Sequence, residues 1–160
     1  MEDVRLEAQV GAALRALGWT ICAAESCTGG LLLHRVTNIP GSSAYVLGGV
    51  VAYANEVKEL LLHVRRETMI EYGAVSAETA EEMARGALDI FGTTLAVSIT
   101  GIAGPGGGSP EKPVGLTYIG LARKDNGVMV QRHFWDGDRE GIKQASAGAA
   151  LQVILEAAAG

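Results

Sequence analysis

The stretch that says most about the fold is "TLAVSIT", residues 94–100. It is a short, almost uninterrupted apolar run with β-branched residues, which is typical of a strand buried on both faces of a sheet. A loop rich in glycine and proline, residues 101–113, follows it directly. The run therefore predicts a central strand that ends at a long irregular loop, and such loops in compact domains are often functional.

Helices and strands alternate on the N-terminal side of this run. Residues 3–17 carry apolar side chains at mainly three- and four-residue steps and are followed by Gly18, which predicts an amphipathic helix. The clearest helix begins after Ser76 and ends before Gly92. Two further strands are predicted over residues 19–24 and 44–54, and Gly48 and Gly49 indicate a bulge in the second. Two further helices are predicted over residues 28–39 and 56–64, and Asn55 is expected to cap the second. Residues 65–73 are expected to form a polar connection.

Two more strands follow the glycine-rich loop. They cover residues 114–124 and 128–135, and Asn126-Gly127 between them is a strong signal for a two-residue hairpin turn. A final alanine-rich helix extends to about residue 158. Alternating elements followed by one antiparallel hairpin predict an α/β fold, a mixed sheet with helices on both faces. With no internal repeat and no linker, residues 1–160 are expected to form a single domain.

Composition narrows the classes of function. The chain has 160 residues, 48% of them hydrophobic, and a formal net charge of −5 with no long basic run, so nucleic acid is not favoured as a partner. No apolar run approaches the length of a membrane span, and the N-terminus lacks the features of a signal peptide. Cys22 and Cys27 are not spaced as C-x-x-C and lie far in sequence from the histidines, so no metal site is expected. Two reduced thiols suit a cytoplasmic protein.

The segment "AESCTGG", residues 24–30, is where the first predicted strand meets a helix. Ser26 would lie where backbone N–H groups point outward and can stabilise an oxyanion. Alternatively, Ser26 or Thr28 simply caps the helix. Cys27 is a rival nucleophile, since a helix N-terminus can lower a thiol pKa, but consecutive side chains diverge and only one is expected to face a pocket. The G-x-S-x-G motif of another serine hydrolase class is absent.

A nucleophilic serine needs a base. His34 would project away from the strand end, and His63 and His133 have no nearby carboxylate motif, so the sequence does not support a Ser-His-Asp triad. Lys58 follows a predicted strand and would serve as the base if desolvation or a cationic neighbour lowers its pKa. The alternative is that Lys58 is a solvated helix residue paired with nearby glutamates. The glycine-rich loop is neither a Walker loop nor a dinucleotide fingerprint, yet its N–H groups suit a phosphate, as would Arg139.

Five blocks in order resemble the CinA C-terminal domain family: "AESCTGGLL", "GGVVAYANEVKELLL", "YGAVSAETAEEMA", "SITGIAGPGGG" and "KPVGLTYIG". The resemblance covers about residues 5 to 155. It implies a three-layer α/β/α sandwich with a mixed, mostly parallel five-stranded sheet. Many family members carry an additional N-terminal domain. The resemblance here begins near the first residue of the sequence, so the chain is expected to be a stand-alone form. The family's habit of self-association implies a homodimer.

The resemblance also implies a reaction. Enzymatic members are nicotinamide-nucleotide amidases, which hydrolyse the carboxamide of nicotinamide mononucleotide to nicotinic acid mononucleotide and ammonia without metal or cofactor. The family's catalytic positions correspond here to Ser26 as nucleophile, Lys58 as base and Tyr53. The implied substrate-binding positions are Thr28, Gly29, Thr100, Gly101, Gly104 and Arg139.

Within that set, N–H groups near Thr28 and Gly29 are expected to hold the oxyanion, and the glycine-rich loop with Arg139 to hold phosphate and ribose. Tyr53 is expected either to position Lys58 or to stack on the pyridine ring, and Glu25 to order the turn or the lysine. Two alternatives stay open: a nucleotide-binding or regulatory module without turnover, and an amidase that uses Cys27.

Overall fold

The computed structural model describes residues 5–160. Its sheet has the strand order β2-β1-β3-β4-β5. The strands are β1 Ile21–Glu25, β2 Val46–Val51, β3 Leu95–Gly101, β4 Leu116–Arg123 and β5 Val128–Phe134. The pairs of β1 with β2 and with β3 are parallel, and the pairs of β4 with β3 and with β5 are antiparallel. Four strands therefore run in one direction and β4 runs against them, so the predicted mixed five-stranded sheet is confirmed.

Helices cover both faces of this sheet, as predicted. They are α1 Leu6–Leu17, α2 Leu31–Thr37, α3 Asn55–Leu62, α4 Arg66–Tyr72, α5 Ala77–Phe91 and α6 Arg139–Ala159. Apolar side chains of α1, α2 and α6 form one buried cluster with alternate residues of the strands, such as Val97 and Ile99. On the opposite face, α3 and α5 pack against Cys22, Ala24 and Ala96. None of the helices described over residues 5–160 is long and apolar enough to cross a membrane.

The two clearest helix boundaries of the sequence are confirmed. Helix α1 ends at Gly18, which has the left-handed φ of 67° that glycine adopts without steric cost. Helix α5 begins after Ser76, whose Oγ accepts a hydrogen bond of 3.1 Å from the Thr79 N–H. The part of the predicted first helix before residue 5 lies outside the described residues.

Three local predictions are wrong. Residues 66–72 form helix α4 rather than a polar connection. Asn55 is the first helical residue of α3; Ala54 holds the cap position and no side chain caps it. In the β4–β5 turn the left-handed residues are Asp125 and Gly127, with φ of 64° and 75°. The Arg123 N–H donates to the Gly127 carbonyl at 3.0 Å, so the hairpin turn between them has three residues, 124–126, rather than the two predicted.

The predicted irregularity of β2 is present one residue earlier than its glycines. Ile21 pairs with Val46 but Cys22 pairs with Gly48, so Leu47 is an extra residue in β2.

The parallel strands bring three loops to one edge of the sheet. Glu25, the last residue of β1, pairs with Val51 of β2 and with Ile99 of β3. The segments that follow these strands therefore lie side by side beyond their carboxyl ends, which is where open α/β sheets bind ligands. The candidate site residues that follow β1 and β2 lie in these segments or at the start of the next helix: Ser26, Thr28, Gly29, Tyr53 and Lys58.

Candidate active site

The turn after β1 places Ser26 at the centre of this edge. Its N–H donates to the Ile99 carbonyl at 3.0 Å, and its carbonyl accepts from the Gly29 N–H at 3.0 Å. Gly29 and Gly30 have left-handed φ values of 60° and 104°, which turn the chain sharply into α2. The Ser26 side chain is 8% exposed, and its hydroxyl has no hydrogen-bond partner among residues 5–160. The hydroxyl is therefore available to a substrate or a base.

Glu25 is the residue that caps helix α2. Its buried carboxylate accepts hydrogen bonds from the Thr28 hydroxyl at 2.7 Å, the Leu32 N–H at 2.9 Å and the Leu33 N–H at 3.1 Å. The expectation that Ser26 or Thr28 would cap the helix is therefore wrong, because Thr28 donates to Glu25 instead of accepting from the helix. Of the two roles considered for Glu25, the ordering of the turn is confirmed.

Removing this carboxylate should strongly destabilise the fold. We expect Glu25→Ala to lower the free energy of unfolding by about 2–4 kcal/mol, because two helix N–H groups and one buried hydroxyl lose their acceptor. Urea denaturation measures the loss. The matched control is Glu71→Ala on the exposed side of α4, expected within about 0.5 kcal/mol of the parent protein. Equal midpoints for the two variants would show that Glu25 does not hold the turn.

Two backbone N–H groups next to Ser26 are free to bind an oxyanion. Within the part of the chain that the structure describes, the Thr28 N–H donates no hydrogen bond, and the Cys27 N–H has no partner other than its own thiol. The Gly29 N–H, by contrast, is engaged by the Ser26 carbonyl. The available donors are therefore those of Cys27 and Thr28, one residue earlier than the pair expected from the sequence.

Lys58, on the second turn of α3, is almost completely buried. Its side chain is 1% exposed, and Nζ donates to the Tyr53 carbonyl at 3.0 Å. No carboxylate lies within ion-pair distance of it among the described residues. Burial lowers the pKa of Lys58, and the smaller influences of Cys27 and Glu56 act in the opposite direction. The alternative of a solvated, glutamate-paired lysine is therefore wrong.

The same geometry brings Lys58 to the edge that holds Ser26. The Ala52 N–H donates to the Glu25 carbonyl at 2.8 Å, which continues the β1–β2 pairing to the residue before Ser26. Lys58 Nζ binds the next residue, Tyr53, and its charge acts on the Cys27 thiol. Lys58 makes no hydrogen bond to Ser26 itself. Catalytic hydrogen bonds are often longer without substrate than in the reacting complex.

Cys27 lies inward, as expected. It is 7% exposed, and a β-carbon built on Gly101 would lie 3.2 Å from its Sγ. Burial raises the pKa of Cys27 to about 11, although the charges of Lys143 and Lys58 act to lower it. A thiol with that pKa is protonated at neutral pH, so Cys27 lacks the thiolate that a cysteine nucleophile uses.

Tyr53, Arg139 and Gly104 are joined in one wall beside this edge. Arg139, the first residue of α6, donates from Nη2 to the Tyr53 hydroxyl at 3.1 Å and from Nη1 to the Gly104 carbonyl at 2.6 Å. Tyr53 is 60% exposed, so its ring is free to contact a ligand. The Tyr53 carbonyl, rather than its ring, is the group that binds Lys58.

The remaining predicted site residues have structural partners. The Thr100 hydroxyl donates to the Ala74 carbonyl at 2.8 Å and so ties the end of β3 to the loop before α5. Gly101 is required by close packing, because a β-carbon there would lie 2.7 Å from Thr117 Oγ1. Both residues lie at the edge of the sheet that holds Ser26, but the contacts described here serve the packing of the protein rather than a ligand.

One side chain at this edge was not considered from the sequence. Lys143 lies on α6, and a β-carbon built on Gly29 would be 3.8 Å from its Nζ. The sequence does contain an indication of its position. Lys143 follows Arg139 by four residues and therefore lies on the same face of the helix.

Surface grooves also lie away from the edge that holds Ser26. One of about 380 Å³ is lined by His63, Glu82, Arg85 and their neighbours, near the end of α3 and the last turns of α5. None of the candidate site residues lines it. Its size alone gives no chemistry, whereas the edge at Ser26 combines a free hydroxyl with a buried lysine.

Comparisons with known proteins identify the family of the chain. A family model described as the CinA C-terminal domain matches residues 3–158. The chain belongs to this family. A crystal structure of the competence/damage inducible protein CihA from Agrobacterium tumefaciens has a TM-score of 0.92 at 42% identity, covering 97% of this chain and 94% of that one.

Relatives of the CinA family differ in length. The nicotinamide-nucleotide amidohydrolase PncC of Enterobacter agglomerans is 47% identical over 150 residues, which cover 94% of this chain and 92% of the relative. A CinA-like protein of Chlorobium phaeobacteroides is 50% identical over 159 residues, 97% of this chain but 38% of the relative. The chain thus spans little more than a third of several curated relatives, and the expected stand-alone form stays a prediction.

Proposed function

We propose that this CinA-family chain is an amidohydrolase that converts nicotinamide mononucleotide to nicotinic acid mononucleotide and ammonia. The observation that carries the proposal is a buried lysine at the same edge of the sheet as Ser26. Among residues 5–160 this lysine has no carboxylate partner and the serine hydroxyl has no hydrogen-bond partner. The similarity to the PncC relative, over nearly the whole length of both chains, supports the choice of substrate.

The first half of the reaction forms an ester. Neutral Lys58 accepts the hydroxyl proton of Ser26, and Oγ attacks the carboxamide carbon. The N–H groups of Cys27 and Thr28 bind the resulting oxyanion; loss of one such donor typically costs about 100- to 1000-fold in rate. The tetrahedral intermediate collapses, the C–N bond breaks, and Lys58 returns its proton to the departing ammonia.

The second half hydrolyses that ester. Lys58, neutral again, takes a proton from water, and the hydroxide equivalent attacks the acyl carbon. The Ser26 oxygen leaves with the proton held by Lys58, which restores both side chains. Each step moves one proton between Lys58 and the reacting atoms, so a depressed lysine pKa serves both halves.

The wall formed by Tyr53, Arg139 and Gly104 is suited to the rest of the nucleotide. The exposed tyrosine ring can stack on the pyridine, and the guanidinium can bind a sugar hydroxyl or phosphate oxygen in exchange for its present contacts. Thr28, Gly29, Thr100 and Gly101 shape the turn and the strand end beneath it. In this proposal their side chains and Cα positions hold the reacting groups in place, and the Thr28 N–H alone among them contacts the substrate, at the oxyanion.

A substrate panel tests the proposed function. We expect the purified protein to release ammonia from nicotinamide mononucleotide at least about tenfold more efficiently than from nicotinamide or glutamine, since remote binding energy favours the nucleotide. Ammonia is measured by a coupled assay. Binding of the nucleotide in calorimetry without any turnover would contradict the amidase and favour a binding or regulatory module.

The cytoplasmic location and the homodimer expected from the sequence remain part of this proposal. So does the absence of nucleic acid from the set of partners.

A further inference from the structure

Lys143 and Arg139 form a pair of cations on one face of α6. They are four residues apart, so their side chains leave the helix in nearly the same direction. Arg139 reaches the Tyr53–Gly104 wall, and Lys143 reaches Gly29 in the turn after Ser26. The two side chains therefore bracket the edge where the proposed substrate lies.

Neither cation has a carboxylate partner among the described residues. Arg139 binds only a carbonyl and a phenol, and Lys143 makes no hydrogen bond or ion pair among residues 5–160. Four arginines elsewhere, in a chain with net charge −5, do pair with glutamates: Arg35, Arg65, Arg66 and Arg85.

The buried Glu25 near this edge forms no ion pair with Lys143 among the described residues. Both oxygens of Glu25 are already occupied by the three donors that cap α2. Lys143 itself is half-buried, in contrast to the exposed Lys124 of the β4–β5 turn. A half-buried cation without an anion, facing a reactive edge, is suited to an anionic group of a ligand.

We propose that Lys143, together with Arg139, binds the phosphate of the substrate and so makes the enzyme selective for a pyridine nucleotide over its nucleoside. This proposal rests on the proposed function, and it adds Lys143 as the residue that determines selectivity for the nucleotide. The oxyanion does not need Lys143, because the N–H groups of Cys27 and Thr28 already serve it. A lysine contributes a compact positive charge, which matches a phosphate dianion.

Kinetics on a matched substrate pair test this role. We expect Lys143→Met to raise KM for nicotinamide mononucleotide by about 10- to 100-fold, the usual range for a lost hydrogen bond to a charged group, with little change in kcat. Its kcat/KM for nicotinamide riboside, which lacks the phosphate, should stay that of the parent protein. Lys143→Arg should recover much of the loss, and Lys124→Met is the control without effect.

A binding measurement separates this proposal from the proposed function. In a Ser26→Ala background, calorimetry should show weaker binding of nicotinamide mononucleotide when Lys143→Met is added, whether or not the parent protein turns the nucleotide over. Absence of turnover alone would overturn only the amidase. An equal loss for nucleotide and riboside, an unchanged affinity, or no binding of the nucleotide to the Ser26→Ala protein would overturn the role of Lys143.

Discussion

Lys58→Met is expected to reduce kcat/KM for nicotinamide mononucleotide by about 100- to 10,000-fold, the usual contribution of a positioned general base. The base must be neutral, and burial lowers the pKa of Lys58 below its ordinary value of 10.5. In the parent protein log(kcat/KM) should therefore rise with pH and level off above that lowered pKa. The variant should lose this rising limb. A pH profile of ammonia release measures both effects.

The same substitution should leave the fold intact, which separates catalysis from stability. With a pKa lowered on folding, the unfolded chain binds more protons between the folded pKa and 10.5. The free energy of unfolding of the parent protein should therefore rise with pH across that window. Below the window Lys58 is charged in both states, and the folded state bears the whole free-energy cost of burying the charge. Lys58→Met removes that cost, so its unfolding midpoint near pH 7 should be no lower than that of the parent or of Lys124→Met. A pH profile unchanged by Lys58→Met would contradict the role as base.

Ser26→Ala is expected to reduce turnover of the nucleotide by about 1000-fold or more, the scale seen when a hydrolase loses its nucleophile. The substitution removes one oxygen that has no hydrogen-bond partner among the described residues, so binding and stability should be nearly unchanged. Ammonia release and calorimetry on the same protein preparation distinguish lost chemistry from lost binding.

Cys27→Ala is the matched control for that substitution. It changes the neighbouring residue, whose thiol is buried and has a pKa raised to about 11. The variant should keep most of the activity. If Cys27→Ala were inactive while Ser26→Ala turned over normally, the thiol would be the nucleophile and the serine mechanism would be wrong.

Much of the fold could be predicted because its signals are local. The apolar run of β3, the capping serine of α5 and the glycine after α1 each act within a few residues. Helix α4 was missed because its polar sequence has no clear apolar period, and it is stabilised by packing of residues such as Thr68 that only the fold buries. The turn at Asp125 was misplaced because an aspartate also tolerates the left-handed conformation.

The site was harder, because its chemistry depends on long-range placement. Glu25 caps a helix that begins six residues after it, and no local capping rule anticipates a buried carboxylate in that role. The burial of Lys58 could not be read from helical spacing, which favoured a solvated lysine. Lys143 lies more than a hundred residues from Gly29, and only the packing of α6 against the sheet brings them together.

The central claim is that Ser26 forms an ester with the pyridine carbonyl group. It is tested most directly by quenching the protein in acid during turnover of nicotinamide mononucleotide and mapping its peptides by mass spectrometry. The account predicts an adduct with the mass of the substrate less ammonia on the peptide's Ser26, absent from Ser26→Ala. An adduct on Cys27, or full turnover by Ser26→Ala, would contradict it.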